Sequence, residues 1–335
     1  MDFKCDLITP ECETLRGVLT IDRNQIFFEE RNVEPEFIVL PSFFNAHTHL
    51  GDSVAKDIEF MPIEKAVRDY KFKVLEEAGD DEIVRCIRNS IKTAFSSGTT
   101  AILDFREGGL KGYELLKKAD DMKICKPLTR PSNICEAEDL AELSFGFGMS
   151  STRDHDLRFL EDIRDIARKK KVVFAIHAGE VDDSDVPNAL SLEPDILIHM
   201  NKSDVKNLKI AMEEEIPIVS CIRSNAFFDL LNVRNYRILI DYDLWLIGTD
   251  NAMVCNPSML EEMHFISYLL RSDVEILKAA FRSFKLLGFD PHVLIFHKRK
   301  NLFRTRNPIS SIVRRACAED LELVLSYPFF ELLKS

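Results

Sequence analysis

Eight short apolar runs, each followed by a segment with helical periodicity, constrain this chain more than any other feature of its sequence. The runs are Phe37 to Phe44, Thr99 to Phe105, Lys123 to Leu128, Leu143 to Met149, Val172 to Ile176, Asp195 to Ile198, Pro217 to Ile222 and Leu244 to Ile247. Between the first two, Asp80 to Ser97 sets Ile83, Val84, Ile87, Ile91, Ala94 and Phe95 on one helical face, and Gly98 stops it. Asp154 to Lys171 opens on acids and closes on three lysines, the order that the helix dipole favours. Strands alternating with helices call for a parallel sheet with helices outside, and eight repeats call for closure into a (β/α)8 TIM-type barrel. An open doubly wound sheet would want a glycine-rich phosphate turn after its first strand, and none is present.

The two ends read differently. Strand-like pieces occur at Gly17 to Ile21 and Gln25 to Phe28, and return at His292 to His297, Ile312 to Val313 and Leu321 to Leu325. Neither end is long enough to bury a core alone. The expectation is therefore a small composite β domain, a β-sandwich built from residues 1–40 and 288–335, beside a barrel domain over residues 41–287.

A formal net charge of -12 argues against nucleic acid or an anionic membrane as the main partner, because both favour a basic face. The one basic cluster, Lys298 to Lys300 with Arg304 and Arg306, reads as a solvated loop edge. There is no basic-then-apolar leader pattern, and no run approaches the length that crosses a bilayer. Eight cysteines without a C-x-x-C pair fit reduced thiols. A soluble, cytoplasmic protein acting on a small molecule is expected, and a homo-oligomer is left open.

Chemistry-bearing residues gather at the ends of the apolar runs, which in such barrels form the face that carries the active site. His47 and His49 lie two apart, so on a strand both rings point to one side. His177 follows the fifth run, His199 the sixth and Asp250 the eighth. Imidazoles and a carboxylate together make an N/O donor set suited to a divalent ion, zinc first, with iron(II) or manganese as alternatives. Glu180, three residues after His177 in His-Ala-Gly-Glu, is placed to move protons beside such an ion. The remaining histidines, His155, His264, His292 and His297, read as structural. Arg106, Arg130 and Arg223 follow runs two, three and seven, and together would suit an anionic group on a substrate.

Asn45-Ala-His-Thr-His-Leu50, His177-Ala-Gly-Glu180, Leu197-Ile-His199, Ser220-Cys-Ile-Arg-Ser-Asn225 and Gly248-Thr-Asp-Asn251 resemble, in order, the signatures of the amidohydrolase superfamily. The resemblance is to its cytosine deaminase-like and adenosylhomocysteine deaminase-like aminohydrolases, and His-Ala-Gly-Glu is also similar to the adenosine deaminase motif. Asn301 to Val313 resembles the returning β-segment of that branch, with a shortened link at Leu286 to Pro291. The resemblance implies that His47, His49, His177 and Asp250 hold one divalent metal ion per chain. It also implies that Glu180 shuttles protons, and that His199 touches the activated water or the tetrahedral intermediate instead of ligating. Two-metal members use a lysine at the end of strand four, where this chain has Ser150-Ser-Thr-Arg153. The implied activity is hydrolytic deamination of an aminated heterocycle of purine, pyrimidine or pterin type. Opening of a cyclic amide is the alternative, and a non-catalytic relative the third reading.

Overall fold

A computed structural model describes residues 1–22 and 25–333. The chain begins with strands β1 (Asp2–Ile8), β2 (Thr14–Asp22), β3 (Gln25–Glu30) and β4 (Phe37–Pro41). Parallel strands follow: β5 (Phe43–His49), β6 (Thr99–Arg106), β7 (Cys125–Thr129), β8 (Gly146–Met149), β9 (Val173–Ala178), β10 (Ile196–His199), β11 (Ile218–Ser220), β12 (Trp245–Ile247) and β13 (Asp250–Asn251). Strands β14 (Val293–His297) and β15 (Leu321–Leu325) come last. Each of the eight apolar runs thus contributes to the parallel sheet, and helices separate successive strands from β5 to β12, as alternation requires. Contacts divide the chain into two compact units. One holds Met1–Phe44, Ala94–Ala101 and the chain from Ser258 onward, and the other Asn45–Thr93 with Ile102–Pro257.

The parallel sheet runs β12-β11-β10-β9-β8-β7-β6-β5-β13, and its two outer members are consecutive pieces of one chain segment. Gly248 N donates to Ser220 O at 3.1 Å on one side, and Thr249 N donates to His47 O at 3.1 Å on the other. Pairing of Asp250 with Thr48 and of Asn251 with His49 completes the ring of a TIM-type barrel. Gly248 is needed because the neighbouring backbone passes so close: a Cβ there would lie 2.6 Å from His47 N. Gly248→Ala is accordingly expected to destabilise the fold by about 1–3 kcal/mol, read as a lower urea midpoint at unchanged slope.

The first apolar run is divided between two sheets. Phe37–Pro41 pairs with β1 and β14, while Phe43–His49 enters the barrel, so the run breaks at Ser42. Strands from both chain ends lie in one six-stranded sheet, β15-β14-β4-β1-β2-β3, rather than in the two layers that a sandwich needs. One of its faces packs Leu7, Leu19, Val39, Val293 and Ile295 against Phe329 and Leu332. Ile312 and Val313, expected as strand, belong to a helix over Pro308–Arg315. Asn307 caps it by accepting from Ser310 N, Pro308 occupies its first turn, and Ile309, Ile312 and Val313 recur at helical spacing on its buried side.

Residues 50–77 after β5 form a helical excursion: a 3-10 turn at Leu50–Val54, then Ile63–Lys65, a π-helical stretch at Ala66–Lys71 and Phe72–Glu77. Its apolar side holds Ala55, Ile58 and Ala66 against Phe228 and Met253. Among the described residues, no helix is long and apolar enough to cross a membrane.

Candidate metal centre

The strand pleat brings the rings of His47 and His49 to one side of β5, with centroids 4.8 Å apart. Between them Thr48 faces the other way, where its hydroxyl donates to Leu103 O at 3.1 Å and to Asp104 Oδ1 at 3.2 Å. Asp104 also accepts from Leu50 N at 2.7 Å, so one buried carboxylate on β6 fixes the end of β5 from both sides of His49. Asn45 clamps the closing segment, donating to Thr249 Oγ1 at 2.7 Å and accepting from Thr249 N at 3.0 Å.

His177 ends β9 and is oriented by its own Nδ1, which donates to Met149 O at 2.7 Å. That bond leaves the Nε2 lone pair directed away from β8. Burial, reinforced by the neighbouring His47 and His49, keeps His177 well below the usual imidazole pKa, so it is neutral at pH 7. His49 is lowered in the same way, first by burial and then by His47. Asp250 goes in the opposite direction: burial opposes its ionisation, but the bond to His47 and the surrounding imidazoles hold it well below the carboxylate range.

Four ligand-type atoms, one each from His47, His49, His177 and Asp250, lie within 4.8 Å of one another. His47 Nε2 is 3.1 Å from Asp250 Oδ1, His49 Nε2 is 3.6 Å from the same oxygen, and His49 Nε2 is 3.3 Å from His177 Nε2. Four donors at about 2.0–2.1 Å around a tetrahedral zinc ion would stand about 3.3–3.4 Å apart. The cluster has the donor chemistry and the spacing of a divalent ion site.

Glu180 and His199 form the adjoining group, with His199 Nε2 3.4 Å from Glu180 Oε1 and both within ligand range of Asp250. Burial, then the charges of Asp250 and Asp185, push Glu180 well above the carboxylate range. Burial draws His199 down to about 4, so its ring is uncharged near neutrality. His199 and Asp250 both have left-handed backbone, with φ of 77° and 58°. Side chains rarely accept that conformation, and its cost is tolerated where a side chain must be aimed. Gly179 takes the same turn at φ 61°, letting the chain swing from His177 to Glu180.

All of these groups except His47 line one cavity of about 600 Å³. Of the three arginines expected at its mouth, Arg130 lines it, while Arg106 and Arg223 do not. Arg106 is buried beneath the start of the helical excursion, where its guanidinium occupies the space a Cβ of Gly51 would need. Arg223 sits on the short helix Ile222–Phe227 and donates to Asn256 O at 2.7 Å. His155, expected to be structural, lines the cavity and pairs with Ser150 Oγ at 2.8 Å.

Three contributors were not singled out from sequence. Ser224 donates to Asp250 Oδ2 at 2.6 Å, fixing the carboxylate whose other oxygen faces His47; its place within Ser220-Cys-Ile-Arg-Ser-Asn225 was the available signal. Lys71 and Glu107 line the cavity wall, and carry no motif. Loss of such an outer hydrogen bond typically weakens metal binding about 10–100-fold. That range is expected for Ser224→Ala in a competitive chelator titration.

A family model described as the amidohydrolase family matches residues 38–283. A protein of Archaeoglobus fulgidus named "putative aminohydrolase" is 44% identical over 304 residues, 90% of each chain. One of the same name from Methanothermobacter thermautotrophicus is 28% identical over 75% of this chain and 74% of that one. Among solved structures, a zinc-bound adenosine deaminase from Xanthomonas campestris superposes with a TM-score of 0.76 at 14% identity, covering 98% of this chain and 96% of that one. An atrazine chlorohydrolase from Arthrobacter aurescens, complexed with zinc, gives 0.78 at 13% identity over 96% and 93%. The structures share the barrel fold, and the sequence matches go further: this chain belongs to the amidohydrolase family of hydrolases.

Proposed function

We propose that this protein is a mononuclear, metal-dependent aminohydrolase that removes the amino group of an aminated heterocycle as ammonia. The observation that carries the reading is the convergence of three imidazoles and Asp250 next to Glu180 and His199 at the C-terminal ends of the barrel strands. His47, His49, His177 and Asp250 would hold the ion, zinc by preference for this N/O set. When bound, the ion supplies a water acidic enough to attack as hydroxide near neutral pH.

The chain's own residues then divide the work. Glu180, whose proton affinity is raised, takes a proton from the attacking water and delivers it to a ring nitrogen. The neutral His199 donates a hydrogen bond to the oxygen that adds to the amino-bearing carbon. Glu180 then takes the remaining hydroxyl proton of the adduct and passes it to the amino nitrogen; the C–N bond breaks as the carbonyl forms, and the nitrogen leaves as ammonia. Ser224 keeps Asp250 correctly turned throughout.

The names of the relatives and the family assignment support hydrolysis of a C–N bond. The test is a screen of aminated purines, pyrimidines, pterins and triazines for ammonia release, run with metal-loaded, chelated and reloaded protein. Ammonia that disappears on chelation and returns on reloading is the expected result. Ring-opened product without ammonia would replace deamination by cyclic amide hydrolysis. Metal analysis finding far less than one ion per chain would remove the catalytic reading.

A further inference from the structure

Glu180 and His199 project from two adjacent turns, and a buried amide ties those turns together. His199 closes β10 with φ 77°, and Met200 follows at 57°, so two consecutive residues with side chains are left-handed. Such a pair persists only where its surroundings over-determine it. Two backbone bonds supply part of that constraint. Met200 N donates to Ala178 O at 2.9 Å and Lys202 N to Gly179 O at 2.7 Å, which lays residues 200–203 along the turn that leads from His177 to Glu180. Asn235, buried on the helix Val233–Leu239, supplies the rest: its Nδ2 donates to the carbonyls of Met200, Asn201 and Ser203 at 3.3, 3.1 and 2.8 Å.

The turn so fixed presents Asn201, which is wholly buried. Its Nδ2 donates to Glu180 O at 3.1 Å and to Leu230 O at 2.7 Å. Leu230 lies two residues after Phe228, which lines the cavity and packs with Ile58 and Ala66 of the helical excursion. One amide thus spans the backbone of Glu180 and that of the segment carrying a cavity wall. Its own Oδ1 is buried without a hydrogen-bond partner. An unpaired buried oxygen is costly, and a leucine of similar size would avoid that cost. Packing alone therefore does not account for an asparagine here, whereas the two donated bonds do.

We propose that Asn201 is a positioning residue for the reaction, holding Glu180 in register with His199 and with the cavity wall at Phe228. The inference rests on the preceding reading of Glu180 as the proton shuttle. Asn201 does not itself line the cavity, so its effect is exerted through Glu180. A proton passes between Glu180 and the substrate only over hydrogen-bond distance. A shift of about 1 Å in the backbone that carries Glu180 therefore costs turnover far more than it costs binding.

The test is Asn201→Ala in the zinc-loaded full chain, alone and combined with Glu180→Gln. Kinetics use whichever of the screened purines, pyrimidines, pterins and triazines the wild type turns over fastest. The single substitution is expected to lower kcat about 10–100-fold, with KM and zinc content within about twofold of wild type. In the Glu180→Gln background it is expected to change kcat by less than about twofold, because the residue through which it acts is already disabled. A merely structural role would cost the same factor in both backgrounds. Crystal structures of zinc-loaded wild type and Asn201→Ala give a readout that needs no turnover: Glu180 is expected to shift relative to His199, while His47, His49, His177 and Asp250 superpose. If the wild type releases no ammonia from any probe, the deaminase reading fails and the crystal comparison decides the positioning role. Should Asn201→Ala not fold, Asn201→Ser takes its place with the same expectations, since one hydroxyl proton cannot serve both carbonyls. A folded variant with wild-type kcat, an equal loss in both backgrounds, or an unmoved Glu180 overturns the proposal.

Discussion

Asp250→Asn is expected to leave the barrel folded but to reduce bound metal well below one equivalent per chain and to lower kcat/KM by about 10⁴-fold or more. The substitution keeps the shape of the side chain and its bond from Ser224, yet removes the one negative charge among three imidazoles. A neutral amide is a far poorer ligand for a divalent ion than a carboxylate. The same carboxylate lies between His47 and His49, at 3.1 and 3.6 Å, so its loss also frees both rings to turn. Metal analysis alongside steady-state kinetics checks this. Full metal occupancy with full activity in the variant would mean that Asp250 is not part of the metal centre.

Glu180→Gln separates proton transfer from metal binding. Glu180 stands outside the four-ligand cluster but within reach of His199 and Asp250, so the variant is expected to bind metal as tightly as the wild type. Its kcat should fall about 10²–10⁴-fold, the usual contribution of a positioned acid/base group. KM should move little, because the amide preserves the shape of the cavity wall. If instead metal content falls with activity, Glu180 is a ligand and a different group carries the proton. A variant with both quantities unchanged would leave Glu180 without a role.

The barrel was legible in the sequence because its signals are local and repeated. Apolar runs such as Val172 to Ile176 and Thr99 to Phe105 are short, bounded and followed by helical periodicity, and β9 and β6 fall on them. The candidate site was legible for a related reason: strand ends deliver side chains to one rim, so His47, His49, His177, His199 and Asp250 could be gathered without knowing a single distance, and only the family resemblance set His199 apart from the other four. What failed to show was long-range. Ser42 separates two strands of different sheets inside one unbroken apolar run, and only pairing partners distinguish them. Ile312 and Val313 are β-branched residues in a helix held by an Asn-Pro cap and tertiary burial, and packing outweighs their intrinsic preference. Lys71 was invisible because its partners Asp52 and Glu107 are 19 and 36 residues away and no motif links them. Arg106 and Arg223 fell at the expected strand ends, but only the folded chain reveals that Arg106 is buried beside Gly51 and that Arg223 turns to Asn256 O.

The ring of strands is fastened at a short joint. Between β5 and β13 the register is two residue pairs long, and the residues at that joint, Thr48 with Asp250 and His49 with Asn251, include or adjoin three of the four ligand candidates. An ion held by His47, His49 and Asp250, as proposed, would therefore work like the rivet of a cooper's hoop, tying the first stave to the last. On the proposed ligand set, loading the centre would also brace the cylinder, and removal of the ion is expected to loosen it first at the seam, in the residues that would have held it.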